Sequence, residues 1–291
     1  MPDWLLIAAA GAFLLGLAYV VGWLLPLRIL RPPRRAVHLT PADLGFDYED
    51  IELTTTDGWR LAAWFVPAAQ ARTTLIILHG NGSCREPYLE FLPELVPYGI
   101  EVLLYDGRAH GESEGDHCTF GYHEWRDVEA ATHWLDTNRP GQSLGLFGHS
   151  MGGAIAVRAG TQVRGLSYII VESCFSDLHE IIHAYGQRDT GLWLPRFVTD
   201  TILSRAGQLG HFPPREVAPE RLVQELHVPT LVIHGTADER VAFENGERIF
   251  AAVAAGDKAF YPVAGAGHDE LAGPGGAGYW ERVRSFVLGR S

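Results

Sequence analysis

The chain is poor in the residues that staple or charge a small protein. Its 291 residues hold three cysteines, Cys84, Cys118 and Cys174, an odd number with no Cys-x-x-Cys or Cys/His metal spacing. That excludes a disulfide framework and a zinc site, and the three read as reduced, buried thiols in a reducing compartment. Lysine is nearly absent: Lys258 stands alone beside 22 arginines, and 35 acidic residues bring the formal charge to −12. An acidic chain is a poor partner for nucleic acid. Repeats and low-complexity tracts are missing as well, and 47 % hydrophobic content excludes disorder. What is left is length enough for one large domain with a deep core.

Charge is also absent from Trp4 to Leu25. These 22 residues, as a helix rising about 1.5 Å per residue, reach about 33 Å and match the hydrocarbon thickness of a bilayer. Met1-Pro2-Asp3 ahead of the run and Pro26-Leu27-Arg28 behind it lack the basic start and small-residue cleavage site of a signal peptide. Arg28, Arg31, Arg34 and Arg35 follow the run and only Asp3 precedes it, a net of +3 over the first 35 residues that leaves −15 for the rest. By the positive-inside rule the run is a single-pass anchor with the remaining domain on the cytoplasmic side. The expected division is a transmembrane anchor with a basic juxtamembrane linker over 1–35 and a globular domain over 36–291, with the lipid bilayer as a partner.

Beyond the anchor, short β-rich runs alternate with helical stretches, the order expected of a mostly parallel sheet with helices on both faces. Eight strands are read: Ile51–Thr55 and Arg60–Val66 as an edge hairpin around Asp57-Gly58, then Thr74–Leu78, Glu101–Tyr105, Leu144–Phe147, Tyr168–Val171, Thr230–His234 and Lys258–Tyr261. Helices are expected near Glu86–Leu95, Tyr122–Thr137, Met151–Gln162, Ala242–Ala254 and Tyr279–Leu288.

The stretch Gly148-His149-Ser150-Met151-Gly152 follows an apolar strand and opens a small-residue helix. Glycines on both sides let strand and helix pass closely, so that the serine occupies a strained turn with its hydroxyl above the sheet. Two other Gly-x-Ser-x-Gly stretches lack that context. Ser113 lies in a charged segment that reads as a solvated loop, and Ser143 falls at the N-terminal edge of the strand, whereas ligands of open α/β sheets bind beyond the carboxyl ends.

A serine nucleophile needs a base, and the base an orienter. Thr230–His234 runs into Gly235-Thr236-Ala237-Asp238, and the last strand into Gly265-Ala266-Gly267-His268, so Asp238 and His268 fall just past carboxyl edges in the order that a strand-helix elbow requires. Asp269 is the rival carboxylate, but its adjacency to His268 hinders it from turning back onto that ring. His79-Gly80-Asn81-Gly82-Ser83 after the third strand is a candidate oxyanion loop, the Asn81 and Met151 amides serving as donors.

These four motifs, with Tyr105-Asp106-Gly107-Arg108-Ala109-His110-Gly111-Glu112-Ser113, resemble the α/β-hydrolase superfamily over about Phe46 to Leu288. Ala109 departs from the family's usual Arg-Gly pairing there. The resemblance implies the α/β-hydrolase fold, with an insertion after strand six, about 176–224, forming a cap over the site. Leu192-Trp193-Leu194-Pro195, Phe197, Ile202, Leu203, Phe212 and Pro213-Pro214 in it are expected either to wall an acyl pocket or to pack the cap onto the sheet. The resulting expectation is a membrane-anchored serine hydrolase with the triad Ser150, His268 and Asp238, cleaving carboxylic ester or thioester bonds of hydrophobic acyl substrates with no metal or organic cofactor. Alternatives are a peptidase, for which Asp177, Glu180 and Asp189 are the candidate amine anchors, and a non-catalytic membrane-tethered scaffold.

Overall fold

The computed structural model describes residues 3–191 and 193–289. In chain order its main elements are α1 (Asp3–Leu30), β1 (Glu49–Thr54), β2 (Arg60–Val66), β3 (Thr73–Leu78), β4 (Ile100–Tyr105), α2 (Trp125–Asn138), β5 (Ser143–His149), α3 (Met151–Gln162), β6 (Leu166–Glu172), α4 (Leu178–Thr190), α5 (Arg196–Leu209), β7 (Thr230–Gly235), α6 (Glu244–Ala252), β8 (Lys258–Val263) and α7 (Ala272–Leu288). Among the described residues the strands form one eight-stranded sheet in the order β1-β2-β4-β3-β5-β6-β7-β8. Only the β1–β2 and β2–β4 pairings are antiparallel. The carboxyl ends of β3, β5, β7 and β8 therefore open on one edge, which is where the loops carrying Asn81, Ser150, Asp238 and His268 begin.

The central strands are buried on both faces, as parallel strands flanked by helices must be. Successive residues alternate between two cores: Ile76, Leu146 and Ile169 pack with α2, α3 and the cap. Leu75, Phe147 and Ile170 pack with α7 and the helical turns of residues 86–95. Those turns are largely 3₁₀ rather than the expected α-helix. Pro87, Pro93 and Pro97 each remove a backbone donor there. Helix α7 starts seven residues before Tyr279, and its glycine-rich first turns kink at Gly276, where φ is +53°. Ala109 adopts φ +64°, a left-handed conformation that costs an L-residue about 1–2 kcal/mol and explains why glycine is the usual residue there.

The expected linker is not a free tether. Helix α1 continues through Pro26 to Leu30, with a π-helical turn at Val20–Leu24 that absorbs the irregularity before the proline. Leu30 is fully buried in the core, and its carbonyl accepts the Cys118 N–H. One of the arginines beyond it, Arg34, is engaged too. Arg34 donates to the carbonyls of His110, Gly111, Ser113 and Gly115, and Pro33 packs beside Gly82 of the loop after β3. The segment from Leu30 to Arg34 thus packs on the rest of the chain.

Candidate active site

Ser150 sits between β5 and α3 at φ +54°, ψ −115°, a conformation that only tight packing sustains. The flanking glycines supply that packing. A Cβ on Gly152 would fall 2.0 Å from the Leu78 carbonyl oxygen, and one on Gly148 would fall 2.1 Å from the Gly152 oxygen. Ser150 Oγ lies 3.0 Å from His268 Nε2, and His268 Nδ1 lies 2.8 Å from Asp238 Oδ2. Asp238 Oδ1 accepts the Arg240 and Val241 amides, and His234 Nε2 stands 3.4 Å from Oδ2. Burial alone would raise the Asp238 pKa, but the hydrogen bonds from His234 and His268 hold it well below the usual carboxylate range.

The structure separates the rivals. Ser113 is buried rather than solvated: its hydroxyl donates to the Asp106 carbonyl and accepts the Ala62 N–H. Ser143 opens β5, about 23 Å of extended strand from Ser150. Asp269 meets Arg240 at 2.7 Å and His149 at 3.7 Å, and it is Asp238 that hydrogen-bonds the His268 ring.

Among the described residues the Asn81 and Met151 amides have no protein acceptor; Met151 is the first residue of α3, where helical amides are unpaired. Beneath the Asn81 loop, His79 Nδ1 bonds the Gly80 carbonyl while Nε2 accepts the Gly107 N–H, which fixes the neutral tautomer. Burial lowers its pKa to about 4, in accord with that state.

A second charged group beside Ser150 escaped the sequence reading. His149 Nδ1 lies 3.1 Å from Glu172 Oε1, and Tyr279 donates to Glu172 Oε2 at 2.5 Å. Burial pulls the His149 pKa down, but Asp269 and Glu172 outweigh it and raise the value to about 9. His149 is thus a cation at neutral pH, within ring contact of His268. Because the folded pKa lies above the ordinary 6.5, this contribution to stability is complete below about pH 6.5 and is lost as pH rises through 9. The denaturation midpoint is expected to fall across that window, and His149→Gln to flatten the fall, as urea titrations at several pH values would record. An unchanged slope in the variant would remove His149 as its source. Only the position of His149 in the serine motif was visible beforehand; Glu172 and Tyr279 reach it from β6 and α7.

Ser150 and His268 open into a cavity of about 490 Å³ with a mixed lining: Tyr88, Phe91 and Leu271 alongside Arg35, Glu90, Arg188 and Arg240. The apolar cap residues do not wall it. Ile202, Leu203 and Phe212 are buried in the core, Pro213 and Pro214 border a different cavity, and Trp193 and Phe197 are exposed; Leu192 lies outside the described residues. The candidate amine anchors are also elsewhere: Asp177 caps α4, Glu180 pairs with Arg248, and Asp189 with Arg188. His149, His268 and Asp269 bring possible metal-ligand atoms within 4.8 Å of one another. An ion there would compete for the nitrogens that already meet Glu172, Ser150 and Asp238.

A family model described as serine aminopeptidase, S33, matches residues 69–203. The protein Rv2307c of Mycobacterium tuberculosis is 30 % identical over 246 residues, which cover 82 % of this chain and 78 % of that protein. The chain belongs to the α/β-hydrolase superfamily of serine hydrolases. An esterase of Pyrococcus furiosus, Pf2001, superposes on the hydrolase with a TM-score of 0.76 at 27 % identity, covering 90 % of this chain and 98 % of that one. The membrane protein YNL320W of Saccharomyces cerevisiae is 23 % identical over 253 residues, 86 % of this chain and 82 % of its own. The hydrolase thus joins esterase-like architecture to an N-terminal helix long and apolar enough to span a bilayer.

Proposed function

We propose that the hydrolase is a membrane-anchored serine esterase acting on carboxylic esters or thioesters of hydrophobic acyl groups at the cytoplasmic face. The observation that carries this reading is the unbroken chain of hydrogen bonds from Ser150 Oγ through His268 to Asp238. Ser150 Oγ attacks the acyl carbon as His268 Nε2 takes its proton, and Asp238 accepts the Nδ1–H, holding the tautomer and the charged imidazolium. The Asn81 and Met151 amides donate to the tetrahedral oxyanion. Its collapse expels the alcohol or thiol, protonated by His268, and leaves an acyl-enzyme. Water, deprotonated by the same nitrogen, then releases the acid and restores Ser150.

Membrane anchoring rests on the N-terminal part of α1, whose described apolar side chains from Trp4 to Val20 are exposed, and on the arginines after it. The YNL320W relative, described as a membrane protein, agrees with it. A peptidase reading finds less support despite the aminopeptidase family name: of the carboxylates that line the cavity beside Glu90, Glu172 is engaged by His149 and Tyr279 and Asp269 by Arg240 and His149, so each already has a partner in place of a substrate amine. A panel of p-nitrophenyl esters, acyl thioesters and aminoacyl amides, given to the detergent-purified protein, tests the assignment. Turnover of esters or thioesters above amides is the expected result; turnover confined to the amides would overturn it.

A further inference from the structure

Trp193 and Phe197 are among the most solvent-exposed large apolar side chains of the cap, at 80 % and 70 %, and neither borders the catalytic cavity. Their position in the fold assigns them a partner. Helices α4 and α5 follow one another as a packed helical hairpin, tied by His183 Nδ1 to Thr199 Oγ1 at 3.0 Å and by His179 Nδ1 to Asp200 Oδ1 at 3.0 Å. Trp193 and Phe197 lie at its turn, flanked by Arg188 and Arg196.

The hairpin rests on the base of α1. Arg205 Nε donates to the Gly22 carbonyl at 3.2 Å and its guanidinium lies over the Trp23 ring, while Gly210, just past α5, packs against Leu30. Contacts therefore advance from 205 to 210 along α5 as they advance from 22 to 30 along α1, and the two helices leave the domain on the same side when followed towards their N-termini. Phe197 is eight residues before Arg205, two turns or about 12 Å further out along α5. With Pro26 and Leu30 buried, α1 is fixed to the domain rather than hung from it.

We propose that the tip of the cap hairpin, Trp193 with Phe197, inserts into the bilayer surface from which α1 emerges, making the cap a second membrane contact. The occupant is lipid, because the apolar tip is carried on the side of the domain where the apolar helix departs and is rimmed by arginines suited to anionic headgroups. Tyr185 and Arg188 line the catalytic cavity and belong to the same hairpin, eight and five residues before Trp193. The cap-side wall of the cavity is thereby held at the interface, where an acyl ester is delivered from lipid. This rests on the reading of α1 as a membrane span.

The three native cysteines are buried, so a single introduced cysteine takes a label selectively. Full-length Phe197→Cys, labelled with an environment-sensitive nitrobenzoxadiazole and reconstituted in vesicles of phosphatidylcholine and phosphatidylglycerol, is expected to shift its emission to the blue and to lose intensity with doxyl-labelled lipid. Leu15→Cys in α1 is expected to behave likewise, and Arg164→Cys, ahead of β6 on the opposite edge of the sheet, is expected to do neither. Hydrolysis of a soluble short-chain ester verifies that each labelled protein is folded. Quenching at Leu15 without quenching at Phe197 would overturn the cap contact and leave the anchor standing. Absence of quenching at Leu15 would overturn the anchor itself.

Discussion

Ser150→Ala is expected to lower ester hydrolysis by about 10⁶-fold and to abolish labelling by a fluorophosphonate, the scale reported by removal of a serine nucleophile in a triad enzyme. The substitution removes one oxygen from a partly exposed turn whose backbone is held by Gly148 and Gly152, so the fold is left intact and the loss is chemical. Ser113→Ala and Ser143→Ala are the controls. Ser113 exchanges its hydrogen bonds with the backbone of β2 and of the loop after β4, and its loss reads out as stability rather than as labelling. Mass spectrometry of the labelled peptide locates the adduct. Undiminished labelling of Ser150→Ala would refute the assignment.

Asp238→Asn is expected to cost about 10⁴-fold in kcat while leaving the fold and substrate binding nearly unchanged, by analogy with loss of the orienting carboxylate in serine proteases. The amide presents an N–H where a carboxylate accepted one, so His268 loses the interaction that fixes its tautomer and stabilises its charged form. Asp269→Asn provides the contrast. Its carboxylate meets Arg240 and His149, and its removal is expected to change kcat less than about tenfold, the equivalent of 1.4 kcal/mol. Steady-state kinetics on one ester, with circular dichroism of each variant, decides between them. A larger loss at Asp269 would move the orienting role to that residue.

What the sequence disclosed and what it hid divide along physical lines. Strands were legible because each is a short apolar run bounded by turn residues, and α3 begins and ends where its small-residue run does, at Met151 and Gln162. Ser150, Asp238 and His268 lie 88 and 30 residues apart, yet their convergence followed from strand direction alone, since a parallel sheet delivers successive loops to one edge. Contacts between residues on unrelated elements left no such trace. Ser113 sits in a charged stretch, so its burial under β2 could not be read locally. Arg34 looked like one more positive residue beside a membrane helix, but its guanidinium is spent on the carbonyls of a loop more than seventy residues away. The His149–Glu172–Tyr279 group joins three elements, and no spacing announces it.

If α1 spans a bilayer, as proposed, the seating of Leu30 in the core also sets the arithmetic of catalysis. A protein on a slack tether samples a volume, and its rate follows the amount of substrate per litre. An enzyme whose membrane helix is continuous with its own interior keeps one height and one tilt while it diffuses sideways, so it samples an area. Its rate then follows the fraction of the surface occupied by substrate: adding inert lipid slows it at constant total ester, whereas adding buffer does not.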